Sequence, residues 1–202
     1  GLEVRRRTGR ATFLLGTAAS TRQAAAEART IGCFVNMLPL SFEVEEGASI
    51  DTAVRAMQQE LATALQHSHY PFSRIYGEFR RQHPRATQPA RYPLIDIAVT
   101  ENPAISHNAA TGLSFTTMGS PDSGALQYEL RRNAPAQDLV LVHEGHPDHG
   151  LVLTWFANAA IYTQDTAQAW FDAVIGWARY LTQRVPRADE RLPMLQPAAE
   201  PL

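Results

Sequence analysis

Ile31-Gly32-Cys33-Phe34-Val35-Asn36-Met37-Leu38-Pro39-Leu40-Ser41-Phe42-Glu43-Val44 is the stretch whose reading decides the fold. Phe34, Leu38, Leu40, Phe42 and Val44 fall at even spacing and Pro39 excludes a helix, so the segment reads as a strand with one buried face. A proline has no N–H to give to a ladder, which places this strand at a sheet edge or at a bulge. Cys33, inside the expected strand, reads as a small buried hydrophobe. Just downstream the period changes: Ser49 is a favourable N-cap, and Ile50, Val54, Met57, Leu61 and Leu65 recur at helical steps until His67.

Working outward, residues 11–18 (Ala-Thr-Phe-Leu-Leu-Gly-Thr-Ala) form an apolar run that reads as a buried strand, and Ser20 to Thr30 reads as a polar loop. Arg5-Arg6-Arg7 is expected to be a solvated chain start. Pro71 suits the first turn of a second helix, continued by Phe72, Ile75, Tyr76 and Phe79. A connector over 82–92 leads to the strand-like Leu94 to Val99. Leu113/Phe115/Thr117, Leu126/Tyr128/Leu130 and Leu139/Leu141/His143 each alternate, and 138–157 reads as a hairpin turning at 145–150. Thr163 and Asp165 introduce a long helix with Trp170, Phe171, Val174, Trp177 and Leu181 on one face. The order predicts an α/β layer: a mixed or mostly antiparallel sheet with two or three packed helices.

Composition narrows the function classes. A hydrophobic content of 45% against 19% charged residues excludes a disordered chain. The net charge of −2 lacks the basic footprint that phosphate binding requires, so no nucleic-acid partner is expected. No apolar run reaches the ~20 residues of a bilayer span, so no membrane partner is expected either. The lone Cys33 and an N-terminus without an apolar h-region point to a reducing cytoplasm. Every basic residue is arginine; with no lysine in the chain, Schiff-base, P-loop and Ser-Lys chemistry are excluded.

Two clusters invite chemistry. His143-Glu144-Gly145-His146-Pro147-Asp148-His149 looks metal-like, but its spacing misses the helical H-E-x-x-H pattern, and Gly145 and Pro147 oppose that helix. It reads as a solvated hairpin tip, and no metal is expected. His67-Ser68-His69-Tyr70 lies at a helix break. His67, His69 and Tyr70 are a proton-transfer group, part of a metal site, or simply the polar end of a helix, whose dipole favours an imidazole there. G-x-S-x-G, G-x-G-x-x-G and P-loop patterns are absent, and the residues alone assemble no catalytic machine.

Ile31 to Leu40 closely resembles the I/V-G-x-F-V-N-T-L-P-L-R signature of nonribosomal peptide synthetase condensation domains, with Met37 for threonine and Ser41 for arginine. His67-Ser68-His69-Tyr70-Pro71-Phe72-Ser73 is similar to the family's H-Q-D-Y-P-F-E, with His69 for the acid and Ser73 for glutamate. Arg91-Tyr92-Pro93-Leu94 resembles the end of R-D-x-S-R-N-P-L. Thr8-Gly9 and Gly16 to Arg22 resemble t-G-q-d-d-v-v-v-G-t-p-v-a-G-R. The four motifs stand in the family's order. The resemblance implies a chloramphenicol-acetyltransferase-like α/β fold, with 1–185 as the C-terminal lobe of a condensation domain and 186–202 as a proline-rich exit linker.

The family's catalytic H-H-x-x-x-D-G belongs to the other lobe and does not occur here. The resemblance further implies that Arg22 and Asn36 face the cleft between lobes, Arg22 pairing with the aspartate of the absent motif. It implies no directly bound cofactor: substrates arrive on the phosphopantetheine arm of carrier-protein domains, and adjacent synthetase domains are the other partners. A homodimer through the face that the other lobe would cover is also expected. Three functions stay open. They are a lobe that helps hold tethered aminoacyl and peptidyl thioesters, a modified domain eliminating water from a tethered aminoacyl group, and a non-catalytic module that recruits or spaces other domains.

Overall fold

Thr12–Ser20 (β1) and Val35–Glu43 (β2) pair antiparallel from Thr12↔Glu43 to Ser20↔Val35 in a computed structural model that describes residues 1–22, 27–43, 47–83, 94–102, 126–133, 137–146 and 150–183. Leu2–Thr8 (α1) precedes them, a 3₁₀ turn Glu27–Arg29 lies between them, and Ile50–Gln66 (α2) and Phe72–Gln82 (α3) follow. Ile97–Asn102 (β3), Leu126–Asn133 (β4), Leu139–His146 (β5), Gly150–Asn158 (β6) and Gln164–Gln183 (α4) complete the described elements. The six strands form one sheet in the order β2-β1-β3-β5-β6-β4. β1 runs parallel to β3, β3 to β5 and β4 to β6, whereas β1/β2 and β5/β6 are antiparallel. The sheet is therefore mixed. The hairpin expected over 138–157 is the β5/β6 pair, while the alternation at 113–117 and the tail from 184 lie outside the described residues.

Opposed residues in a ladder share a face. The register aligns Ile97, Leu139 and Ala157, and beside them Leu141 with Trp155, on the face against which α4 buries Ala167, Trp170, Phe171 and Ile175. Phe42 of β2 joins Ile50 of α2, Leu2 of α1 and Tyr180 of α4 in a smaller cluster. β2 is an edge strand, as Pro39 predicts. The N–H of Ser41 goes to Glu60 Oε1 of α2 at 2.8 Å rather than to β1. Pro39, two residues earlier, therefore occupies an outward position where no donor is needed.

Several expectations are corrected. The arginines at 5–7 are not a loose start but part of α1, which closes at Gly9 in the left-handed region (φ 67°). Glu3 is 3% exposed, and its carboxylate accepts from Arg6 Nε at 2.8 Å, Arg7 Nε at 2.6 Å and Trp177 Nε1 of α4 at 3.2 Å. The Arg7 guanidinium also stacks 4.6 Å above the Trp170 ring. The second strand begins at Val35, not Ile31, and Cys33 lies ahead of it, exposed. The segment expected to form a strand from Leu94 pairs only from Ile97. Leu94 takes a positive φ of 66°, and the next residue, Ile95, is fully buried. Among the described residues four helices accompany the sheet. No helix among the described residues is long and apolar enough to cross a membrane.

Gly16 makes room for Ile95. A Cβ there would stand 2.6 Å from Ile95 Cγ2 and 3.0 Å from Met37 Sδ. Because Ile95 has no solvent to retreat into, Gly16→Ala is expected to destabilise the fold by about 1–3 kcal/mol, read as a lower urea midpoint at unchanged m-value.

Burial pushes the Glu3 carboxyl up, but hydrogen bonds from Arg6, Arg7 and Trp177 and the Arg6 charge outweigh it and hold the pKa below its ordinary 4.5. A carboxyl with a depressed folded pKa contributes stability above its unfolded pKa, and that contribution is lost as pH falls through the folded one. Glu3→Gln is expected to cost about 1–3 kcal/mol at pH 7. The gap between variant and wild type in denaturant unfolding should close as the pH drops well below 4.5, the ordinary value.

Candidate functional site

The break between α2 and α3 forms an elbow. Ser49 caps α2 by accepting from the Thr52 N–H at 3.1 Å, and the helix ends with His67 at its C-cap. The chain then turns through Ser68 N–H to Leu65 O at 3.2 Å and Tyr70 N–H to His67 O at 2.9 Å. Pro71, with φ −65°, is pre-set to begin α3 but has no side chain able to cap it. His67, His69 and Tyr70 are all exposed on this elbow, while Ser68 between them is buried.

Asn36 reaches the elbow from β2. Its Nδ2 donates to Ser68 O at 2.9 Å and Tyr70 O at 2.7 Å, and its Oδ1 accepts from Phe72 N–H at 3.1 Å. Asn36 thus supplies, from another element, the cap that Pro71 lacks. The amide expected to face the cleft is committed to backbone groups of the elbow.

Arg22 stands two residues beyond the end of β1, at the same end of the β1/β2 pair, where Ala19 is registered with Asn36. Its guanidinium donates to the carbonyls of Glu27 and, at 3.5 Å, Gly32, and lies 4.0 Å from the Phe34 ring centroid. Phe34 O in turn accepts from Thr21 N–H at 2.7 Å and Thr21 Oγ1 at 3.0 Å. Arg22 staples the approach to β2 through two carbonyls and a ring.

The structure thus brings Arg22, Asn36 and the 67–70 elbow to one end of the sheet edge. His143 lies apart, in β5 beside Glu101 of β3, and residues 147–149 of its cluster lie outside the described residues. Among the described residues no group of three or more His, Cys, Asp or Glu side chains is placed to hold a metal. Away from the elbow, an apolar groove of about 390 Å³ runs between α2 and α4, walled by Val54, Met57, Val174 and Trp177 over Phe42. What the elbow offers chemically is two accessible imidazoles and a phenol on a turn whose backbone is tied down. Imidazoles exchange protons near neutral pH. Sequence reading missed Phe34 and Thr21 as supports of Arg22, and Ser68 as a receiver of Asn36; the signal was an asparagine at a strand position, where that residue is depleted.

The condensation domain family model matches residues 1–190. The chain belongs to the condensation domain family. Among curated proteins it is 31% identical over 163 residues to the fumosorinone synthetase of Cordyceps fumosorosea, a match covering 80% of this chain and 4% of that protein. It is 26% identical over 117 residues to the N-(5-amino-5-carboxypentanoyl)-L-cysteinyl-D-valine synthase of Amycolatopsis lactamdurans, covering 58% of this chain and 3% of that one. The chain spans only a few per cent of these relatives. Among solved structures, the first condensation domain of the CDA synthetase superposes with TM-score 0.67 at 18% identity, covering 95% of this chain and 40% of that one. The starter condensation domain of the rhizomide synthetase RzmA gives 0.61 at 22%, covering 93% and 41%. These likenesses show the fold: an α/β lobe of the chloramphenicol-acetyltransferase type. The chain accounts for about two-fifths of these solved condensation domains.

Arg22 makes two carbonyl contacts and one ring contact, a fork geometry that lysine cannot reproduce. Both Arg22→Lys and Arg22→Ala should therefore speed tryptic cleavage after the exposed Arg29, while the denaturant midpoint shifts by less than about 1 kcal/mol.

Proposed function

We propose that this chain is the C-terminal lobe of a condensation domain and forms one wall of the tunnel in which two carrier-tethered groups meet. The observation that carries this reading is coverage: 95% of the chain superposes on a solved condensation domain, yet it accounts for only 40% of that structure. The 202 residues contain no H-H-x-x-x-D-G, so on this reading the reactive imidazole comes from the other lobe. The fungal and bacterial synthetase relatives support carrier-protein domains and neighbouring synthetase domains as partners.

The chemistry is aminolysis of a thioester. The amine of one tethered aminoacyl group attacks the carbonyl of the other thioester, forming the C–N bond; the C–S bond breaks, the phosphopantetheine thiol leaves, and the amine's proton passes to a base. Both reactants are anchored, so the lobe contributes by holding them within reach and in line. Orientation of that kind supplies up to ~7–11 kcal/mol in favourable intramolecular cases. His67, His69 and Tyr70 line the exposed elbow as contacts for a pantetheine arm or its acyl group, and Arg22 braces the adjoining turn.

The test is intact-protein mass spectrometry of two loaded carrier proteins turned over by the synthetase polypeptide that contains this lobe. Transfer of the upstream acyl mass onto the downstream carrier is expected. His67→Ala and His69→Ala should slow that transfer without abolishing it. Loss of one water from a loaded carrier would instead establish elimination, and no mass change with retained carrier binding would establish a docking module.

A further inference from the structure

We infer that Asn36 is a positioning residue, the element that fixes the His67–Tyr70 elbow against the end of β2. The inference rests on the reading above for its functional consequence, but its structural content stands on the hydrogen bonds alone. A carboxamide has two N–H donors and an acceptor oxygen fixed in one plane. Here both donors and the acceptor are engaged, and all partners are backbone groups of the elbow: Ser68 O, Tyr70 O and Phe72 N–H. These partners lie 32 to 36 residues away in sequence, so the contact reports tertiary placement rather than local turn chemistry.

Of elbow residues 67 to 71 only Ser68 is buried. His67, His69, Tyr70 and Pro71 are exposed, and α3 has no buried residue despite its half-buried Phe72, Ile75, Tyr76 and Phe79. Apolar packing therefore holds α3 loosely, and hydrogen bonds direct the turn. Asn36 itself cannot drift, because β2 is laddered to β1 on either side of it, through Val35↔Ser20 and Met37↔Ala18. Two residues back, Phe34 takes Thr21 on its carbonyl and Arg22 on its ring. Three consecutive residues, 34 to 36, thus set the Arg22 turn and the elbow on the same footing. Chemistry also selects asparagine. Aspartate would keep the acceptor for Phe72 but turn a carboxylate oxygen toward two carbonyl oxygens, so a near-isosteric change reverses two of the contacts.

The test compares wild type with Asn36→Ala and Asn36→Asp. Amide hydrogen exchange on the full chain should show Tyr70 and Phe72 exchanging about tenfold faster or more in both variants, the factor that one or two net hydrogen bonds represent. Leu139 and Trp155, in the central strands, should be unchanged. In the synthetase polypeptide, kcat for acyl transfer between loaded carrier proteins should fall about tenfold with KM for the carrier unchanged. Asn36→Asp should be at least as impaired as Asn36→Ala. Unchanged exchange at the elbow overturns the inference, as does acceleration of the central amides to the same extent, which would make Asn36 a general stability residue. Faster elbow exchange with wild-type kcat also overturns its positioning role. If alanine prevents folding, Asn36→Ser, which keeps one hydroxyl, takes its place. Should the wild-type synthetase transfer no acyl group, the condensation reading fails, while the exchange arm still decides whether Asn36 fixes the elbow.

Discussion

The β1/β2 register is the constraint on which the rest of this lobe depends. With Ala19 opposite Asn36 and Gly16 opposite Pro39, the apolar side chains of Leu38, Leu40 and Phe42 share one face, and Pro39 turns its missing donor away from the ladder. A slip of one residue would exchange the faces along the whole pair. It would also carry Asn36 away from the elbow and set Pro39 where β1 needs a donor. The same pairing that builds the core therefore determines which polar groups meet at the sheet's end.

A second set of contacts fastens the helical layer. Glu3 ties α1 to α4 through Trp177, and Arg7 covers Trp170, while Trp170 and Phe171 fill the space over β5 and β6. A buried carboxylate is costly unless its lone pairs are occupied, and here two arginines and an indole occupy them. α1 is only seven residues long, too short to persist by intrinsic propensity, so its helicity comes from docking.

Much of this could be read locally. Period-two alternation around Pro39 located the edge strand, Ser49 marked the start of α2, and the aromatic stripe of α4 announced the main core. Four features escaped because their causes are not local. α1 offers too few residues to show a period, and its identity lies in a hydrogen bond that the distant Trp177 donates to the buried Glu3 carboxylate. Cys33 looked buried by residue type, but the ladder starts two residues later. The break at His67–Tyr70 was visible as a helix end flanked by proline, yet the hold of Asn36 on it spans more than thirty residues. Arg22 was expected to reach across a cleft; its nearby carbonyls and the Phe34 ring are partners that only the folded turn creates.

The capping of Ser41 by Glu60 has a mechanical side. With a proline at 39 and an occupied donor at 41, that stretch of the outer strand cannot recruit a further strand by backbone pairing. Any body that approaches along that flank has only side chains to grip, and a seam of that kind can hinge and slip where a continuous ribbon of peptide bonds would be locked.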